Sequence, residues 1–327
     1  MSARVLMLAP PFFGYHEDVA AEMRHRGVGV DRMDDRPSDG VAFKSLAKVS
    51  YGLVQPLVDR HFEMVLDRVR SVRYDAVFAL GGMSWCFDLA QTERLKEESG
   101  ARLVLYLWDS VENCQRAGAA APAFDSVLSF DPLDCERHGF EFLPLFYAFE
   151  PPAFPPRAPY EYDACFVGSV HQVSKFLRVK SIVDRLEADG ARVLKHYYVP
   201  SRSVAALRRA QVAEYREVEL TTRPLSRAET LAAYACSRAL VDSPQAGQRG
   251  LTIRTIESVG MNRRLMTANA GVRDYDFFAS GNVVVDDGSP DLSSAIADPA
   301  PYPDEVREAY SARAWVGRVL EAMGVVS

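Results

Sequence analysis

The chain has 327 residues, 48% of them apolar and 25% charged, with a formal net charge of -6 and a pI near 5.6. That is a soluble globular composition with room for two domains of about 150 residues. It excludes a global basic field for nucleic acid or anionic membrane and leaves a local patch open.

Five cysteines (Cys86, Cys114, Cys135, Cys165 and Cys236) are scattered and form no C-x-x-C pair. The pattern argues against a disulfide framework or zinc knuckle and suits a reducing cytosol. No run approaches the ~18 apolar residues of a membrane span, and the apolar run within Met1–Pro10 is too short for a signal peptide. A cytoplasmic location is the expectation.

Short apolar runs alternate with helix-period segments, the signature of parallel α/β architecture. Arg4–Ala9 reads as a strand stopped by Pro10 and Pro11, His16–Arg26 as a helix ending at Gly27, and Val28–Met33 as the second strand. In Leu57–Arg70, Val58, Phe62, Val65, Leu66 and Val69 recur on one helical face. Asp75–Leu80, Arg102–Trp108, Ser126–Phe130 and Phe140–Leu145 complete the strands of the first half.

Tyr147–Tyr162 carries five prolines (Pro151, Pro152, Pro155, Pro156 and Pro159), which fit neither helix interior nor central strand. The expected division is therefore a first domain over 1–150, a linker over 151–162 and a second domain over 163–305. Residues 306–327 form a C-terminal helix packing back toward the first domain. In the second half, Ala164–Val167 is a strand ending at Gly168, Lys175–Ala188 a helix, and Arg192–Val199 a strand. A capping box at Ser226-Arg-Ala-Glu229 opens the helix Ala228–Ala235, Arg238–Asp242 is a further strand, and Pro303–Met323 reads as one terminal helix.

The most informative stretch is Asp242-Ser-Pro-Gln-Ala-Gly-Gln-Arg-Gly-Leu-Thr-Ile-Arg-Thr-Ile-Glu-Ser-Val-Gly260, followed by the strand pair Leu265-Met266. It reads as strand end, glycine-containing loop, helix start, and a carboxylate about two turns in. A helix N-terminus offers unpaired N–H groups and a partial positive charge to a diphosphate. Glu257 lies about 10 Å further along the axis than Gly250, at about 1.5 Å per residue, where it can accept hydrogen bonds from a ribose diol. Such a spacing points to a nucleotide-sugar site.

Several segments together resemble a bacterial family of GT-B glycosyltransferases grouped with capsule/lipopolysaccharide-biosynthesis enzymes and CgeB-like proteins. They are Tyr106-Leu-Trp-Asp-Ser110, Ser129-Phe-Asp-Pro-Leu-Asp-Cys135 with Gly139-Phe-Glu-Phe-Leu-Pro-Leu-Phe-Tyr147, Pro224-Leu-Ser-Arg227, and Gly250-Leu-Thr-Ile-Arg-Thr-Ile-Glu257 through Asp274-Tyr-Asp-Phe-Phe278. The opening Pro11-Phe-Phe-Gly-Tyr-His16 and Asp35-Arg-Pro-Ser38 belong to the same likeness.

The resemblance implies an α/β GT-B fold, two Rossmann-like parallel-sheet domains facing a central cleft, and transfer of a sugar from a nucleoside-diphosphate sugar to a hydroxyl or amine acceptor. It implies no metal cofactor. A lipid-linked acceptor would be met by peripheral membrane contact. On that reading Gly250, Leu251, Thr252 and Arg254 hold the diphosphate and Glu257 the ribose. The loop Gly168, Ser169, His171, with Arg178 in the next helix, faces the donor phosphates. His16 takes the acceptor proton in an inverting reaction, a task suited to an imidazole. Asp109 orients His16 or binds an acceptor hydroxyl.

Each residue has a plainer alternative. Glu257 and Arg254 form a solvated i,i+3 pair, His16 packs or caps its helix, and Asp109 caps the next one. Asp131 and Asp134 read as capping and first-turn acids around Pro132. Trp108, Tyr147 and Phe149 read as packing. Asp274-Tyr-Asp276 mimics the metal-binding D-x-D of GT-A enzymes but lies too late in the chain, and reads as a helix start. Neither G-x-G-x-x-G nor a P-loop is present, which counts against dinucleotide oxidoreductases and P-loop kinases. A nucleotide-sugar epimerase of the same architecture and a non-catalytic nucleotide-sugar-binding assembly protein are the competing functions.

Overall fold

A computed structural model describes residues 3–11, 13–149, 159–244, 249–286, 288 and 296–325. The chain divides into unit 1, Met1–Pro144 with Ala312–Ser327, and unit 2, Leu145–Ser311.

In unit 1, β1 (Arg4–Leu8), α1 (Tyr15–His25), β2 (Gly29–Met33), α2 (Val41–Val49) and α3 (Gln55–Ser71) lead into β3 (Ala76–Gly81). α4 (Leu89–Ser99), β4 (Arg102–Leu107), α5 (Gln115–Ala120), β5 (Ser126–Ser129), α6 (Pro132–His138) and β6 (Glu141–Phe142) follow. All the strands are parallel, in the order β2-β1-β3-β4-β5-β6. β3 is buried along its whole length, and the predicted stripe of α3 (Val58, Phe62, Val65, Leu66, Val69) packs into the same core. α4 opens with a capping box between Asp88 and Gln91.

Unit 2 runs β7 (Tyr162–Ser169), α7 (Val173–Ala188), β8 (Val193–Tyr198), α8 (Arg202–Gln211), β9 (Leu220–Thr221) and α9 (Arg227–Ala235). Then come β10 (Ser237–Asp242), α10 (Ile253–Gly260), β11 (Arg264–Thr267), β12 (Val283–Val285) and α11 (Asp304–Ala309). Its sheet is again wholly parallel, ordered β12-β11-β10-β7-β8-β9. Read from β9, this is the doubly wound order 3-2-1-4-5-6, and unit 1 has the related order 2-1-3-4-5-6. The expected capping box is present, with Ser226 accepting from the Glu229 N–H and the Glu229 side chain reaching back. Phe176 of α7 stacks on Tyr215 and meets Tyr197 edge-on in the core.

Three expectations need correction. The terminal helix is two helices, because Tyr310 and Ser311 break it. The Tyr310 carbonyl accepts from the Tyr147 N–H at 2.9 Å, and its hydroxyl donates to Asp276 at 2.6 Å. α11 thus stays in unit 2, while α12 (Ala312–Ala322) lies in unit 1, where Trp315 meets Tyr106 edge-on with centroids 4.7 Å apart. The run Phe140–Leu145 pairs only at Glu141–Phe142. Asp274 closes one short 3-10 turn and Asp276 opens the next, so the expected helix start is present as a 3-10 turn and not a longer helix. Of the expected linker, residues 151–158 lie outside the described residues.

α10 is held against Tyr147, whose ring is buried. A Cβ at Gly260 would lie 2.6–3.0 Å from three atoms of that ring. Gly260→Ala is therefore expected to lower stability by about 1–3 kcal/mol through overpacking, read as a lower denaturation midpoint. A raised midpoint, as helix propensity alone would give, would show that Tyr147 moves aside freely.

Candidate functional site

In doubly wound sheets, ligands sit beyond the carboxyl ends of the strands where the strand order reverses. In unit 2 that point lies between β7 and β10. β7 ends at Gly168 and Ser169, and β10 at Asp242. Thr252 caps α10, its hydroxyl accepting from the Thr255 N–H at 3.3 Å. Gly250 and Leu251 precede the cap and are buried. The N–H groups of Ile253 and Arg254, in the first turn, have no intrahelical acceptor by the geometry of any helix start, which favours an anion there.

Glu257 is the fifth residue of α10, about 7.5 Å along the axis from the cap rather than two full turns. It is only 4% exposed, which overturns the solvated alternative. Burial pushes the Tyr234 phenol up, and Glu257 is close enough to add to that rise.

Arg254 is also inside, at 7% exposure, and not in a surface salt bridge. Its Nη1 donates to Asp242 at 2.6 Å, its Nε to the Tyr234 hydroxyl at 3.2 Å, and its Nη2 to the Val167 carbonyl. Burial opposes its charge, but Tyr234 and Asp242 outweigh that and hold the guanidinium pKa above its usual value. The side chain is therefore a buried tie between β7, β10 and α10. Direct diphosphate contact through it would mean breaking this buried pair, a costly step. The same arginine explains Gly168. A Cβ there would come 2.6 Å from Arg254 Nη2, so the close approach that requires glycine is by Arg254.

Arg178 is similarly engaged, with Nε on the Ser243 hydroxyl at 3.0 Å and Nη2 on the Pro244 carbonyl at 2.9 Å, so it fixes the chain leaving β10. His171 is exposed, and its Nδ1 lies 2.6 Å from the Ser169 hydroxyl.

The cation that sequence reasoning passed over is Lys175, in the first turn of α7. It is half-buried, and its ammonium makes no hydrogen bond or ion pair among the described residues. Burial, with Arg254 and Arg178 beside it and Asp242 working against them, lowers its pKa to about 8. A desolvated ammonium without a partner among the described residues is chemically suited to an anion. The signal available in the sequence is a lysine just after a strand–Gly–Ser turn. It is hidden because Gln172–Lys175 reads as extra loop between His171 and Arg178.

In unit 1 the strand order reverses between β1 and β3. Phe13 and Gly14 turn the chain there with positive φ, 45° and 81°, delivering His16 as the second residue of α1. His16 is 5% exposed, its Nδ1 has no hydrogen-bond partner among the described residues, and its Nε2 is 3.8 Å from a Glu17 carboxylate oxygen. Burial, and then Arg32, lower its pKa from the usual imidazole value, which favours the neutral ring. Asp109 does not orient it. β3 separates β1 from β4, about 10 Å at two strand spacings, and Asp109 Oδ1 instead accepts from the Ser110 N–H and the Asn113 amide, both at 2.9 Å. Asp109 thus braces its own turn, while Cys114 is the residue preceding α5.

Asp35, just past β2, lies in one of the segments that carry the resemblance. It is fully buried, accepts a hydrogen bond from the Ser84 hydroxyl, and has no hydrogen-bond partner at Oδ1 among the described residues. Burial pushes its carboxyl up to about 7 against that Ser84 bond. Asp131 caps α6 at the Leu133 N–H, and Asp134 accepts from the Val111 N–H at 2.7 Å, both structural roles. Asp276 is similarly bonded to Tyr310.

No protein-family profile matches the chain, and no curated protein matches it in sequence. Solved structures do match in fold. A lipopolysaccharide outer core galactosyltransferase, WaaB, in its apo form superposes with a TM-score of 0.56 at 13% identity, over 99% of each chain. A UDP-glucosyltransferase from Polygonum tinctorium capable of glucosylating indoxyl, in complex with 3,4-dichloroaniline, gives 0.50 at 11% identity, also over 99% of each chain. The chain has the α/β fold of GT-B glycosyltransferases, with its two parallel six-stranded sheets.

Proposed function

We propose that this chain is a glycosyltransferase that takes a sugar from a nucleoside-diphosphate sugar and passes it to a hydroxyl or amine acceptor. The observation that carries the reading is the convergence, at the strand-order reversal of unit 2, of the α10 N-terminus with the Lys175 ammonium, which has no hydrogen-bond or ion-pair partner among the described residues. The diphosphate binds there. Glu257, further along α10, accepts hydrogen bonds from the ribose. Arg254, Arg178 and Gly168 build the site from behind.

In the reaction the acceptor oxygen bonds to the anomeric carbon as the bond from that carbon to the phosphate oxygen breaks. The nucleoside diphosphate leaves with the electron pair. Its growing negative charge is met by the helix dipole and Lys175, so the proposal calls on no metal. Unit 1 serves the acceptor, and in an inverting reaction His16 takes its proton. The acceptor is a cell-envelope glycan or a specialised metabolite.

Glu257→Ala is expected to weaken nucleoside-diphosphate binding tenfold or more, from loss of a charge-assisted hydrogen bond of about 1.5–3 kcal/mol. Calorimetry with UDP, GDP and dTDP measures this, and unchanged affinity for a bound nucleotide removes Glu257 from the site. Incubation with nucleotide sugars alone separates this reading from the epimerase alternative. Epimer formation without acceptor would overturn transfer.

A further inference from the structure

We infer that the exposed face of α8 docks unit 2 onto a lipid bilayer carrying anionic headgroups. The inference stands on a surface apart from the donor site and does not depend on the glycosyl-transfer reading.

The protein is acidic overall, yet the 24 residues Gly190–Ala213 contain no aspartate or glutamate while holding Arg192, Lys195, Arg202, Arg208 and Arg209. Arg192 and Lys195 reach carboxylates outside the run, Asp163 and Glu187. The arginines of α8 and the turn after it do not. Arg202 and Arg209 are exposed, and their side chains make no hydrogen bond or ion pair among the described residues. Arg208 donates to the His171 carbonyl and to the Gln211 amide oxygen, both at 2.7 Å, and Arg216 donates to the Arg209 carbonyl at 2.7 Å. Four arginines thus keep their charge without a carboxylate partner among the described residues. By contrast, Arg70 and Arg94 are tied into a carboxylate network with Glu63 and Glu98.

The remainder of the exposed arc selects among anionic partners. At about 100° per residue, Arg202 and Arg209 share one flank, Ala206, Ala210 and Ser203 fill the middle, and Leu207, 51% exposed, stands on the other flank beside Gln211. Only Ala205 is fully inside. An apolar strip beside unpaired arginines matches a headgroup layer, which offers phosphate to the cations and acyl boundary to the leucine. The arc carries no aromatic ring to stack on bases, and the oxygen of its one amide, Gln211, is taken by Arg208, so the arc suits a headgroup layer better than nucleic acid. No helix among the described residues is long and apolar enough to cross a membrane, so a bilayer would be met from the side.

Co-flotation of the full chain with phosphatidylcholine vesicles, with and without phosphatidylglycerol, tests the inference. Binding is expected only to the anionic vesicles, with release at high salt as screening shortens. The double variant Arg202→Glu/Arg209→Glu should lose at least about tenfold in partitioning, and Leu207→Ser should lose severalfold. A charge-matched control reversing two exposed arginines of unit 1, Arg60→Glu/Arg318→Glu, should bind like wild type. Circular dichroism and nucleoside-diphosphate affinity establish that each variant is folded. The inference is overturned if wild type ignores anionic vesicles, if the control loses binding equally, or if duplex DNA at equal phosphate concentration competes the protein off the vesicles.

Discussion

Lys175→Ala is expected to weaken nucleoside-diphosphate binding by about ten- to a hundredfold, the consequence of removing a charged donor worth roughly 1.5–3 kcal/mol. The pH dependence identifies the group. In the ligand-free protein, burial and neighbouring arginines bring the Lys175 pKa to about 8. A bound diphosphate favours the ammonium, so the pKa in the complex is higher than in the free protein. Affinity should therefore be flat below pH 8 and fall about tenfold per unit above it, until the pKa of the complex is reached. Lys175→Arg should retain binding at pH 9, because a guanidinium stays charged. Calorimetric titrations of wild type and both variants across pH 7–9.5 make the test. An alkaline limb that persists in Lys175→Ala would assign the titration to another group.

His16→Ala is expected to reduce kcat by about 10²–10⁴-fold with donor affinity little changed. The structure gives the reason in the ring itself. Burial and Arg32 favour its neutral form, and its Nδ1 is buried without a hydrogen-bond partner among the described residues. A neutral ring nitrogen without a partner is one able to receive a proton. Turnover is to be measured with an acceptor found by screening wild type, in parallel with nucleoside-diphosphate affinity. Wild-type kcat in the variant would remove His16 from proton transfer, whereas a parallel loss of donor affinity would mark it as structural. Retention of configuration in the product would also leave the ring without this task.

Much of the fold is local and legible in the order of the residues. The stripe on α3 and the buried run of β3 follow from apolar spacing. The Ser226–Glu229 capping box follows from four adjacent residues. Short helices repeat their pattern too few times to stand out, and α2, α4, α5 and α8, each of 11 residues or fewer, escape a reading by spacing where the 17 residues of α3 do not. The terminal helix reads as one because its helical pattern continues across Tyr310, and only the bonds of Tyr310 to Tyr147 and Asp276 stop it.

At the candidate site the division is sharper. Spacing alone places Glu257 on the helix that begins after Gly250, and puts His16 at the opening of α1. It cannot rank the cations. Arg254, Arg178 and Lys175 look alike in sequence, yet the first two are engaged with Asp242, Tyr234, Val167, Ser243 and Pro244, and of the three Lys175 alone has no such bond among the described residues. Gly168 shows the same thing, because its neighbour in space is a side chain 86 residues away.

The sequence by itself determined the alternation of strands and helices and the turn and cap chemistry, since those depend on residues a few positions apart. Strand order, the points of reversal, and which charges are paired were decided only in three dimensions. Each depends on partners tens of residues distant, whose proximity is set by the packing of whole sheets.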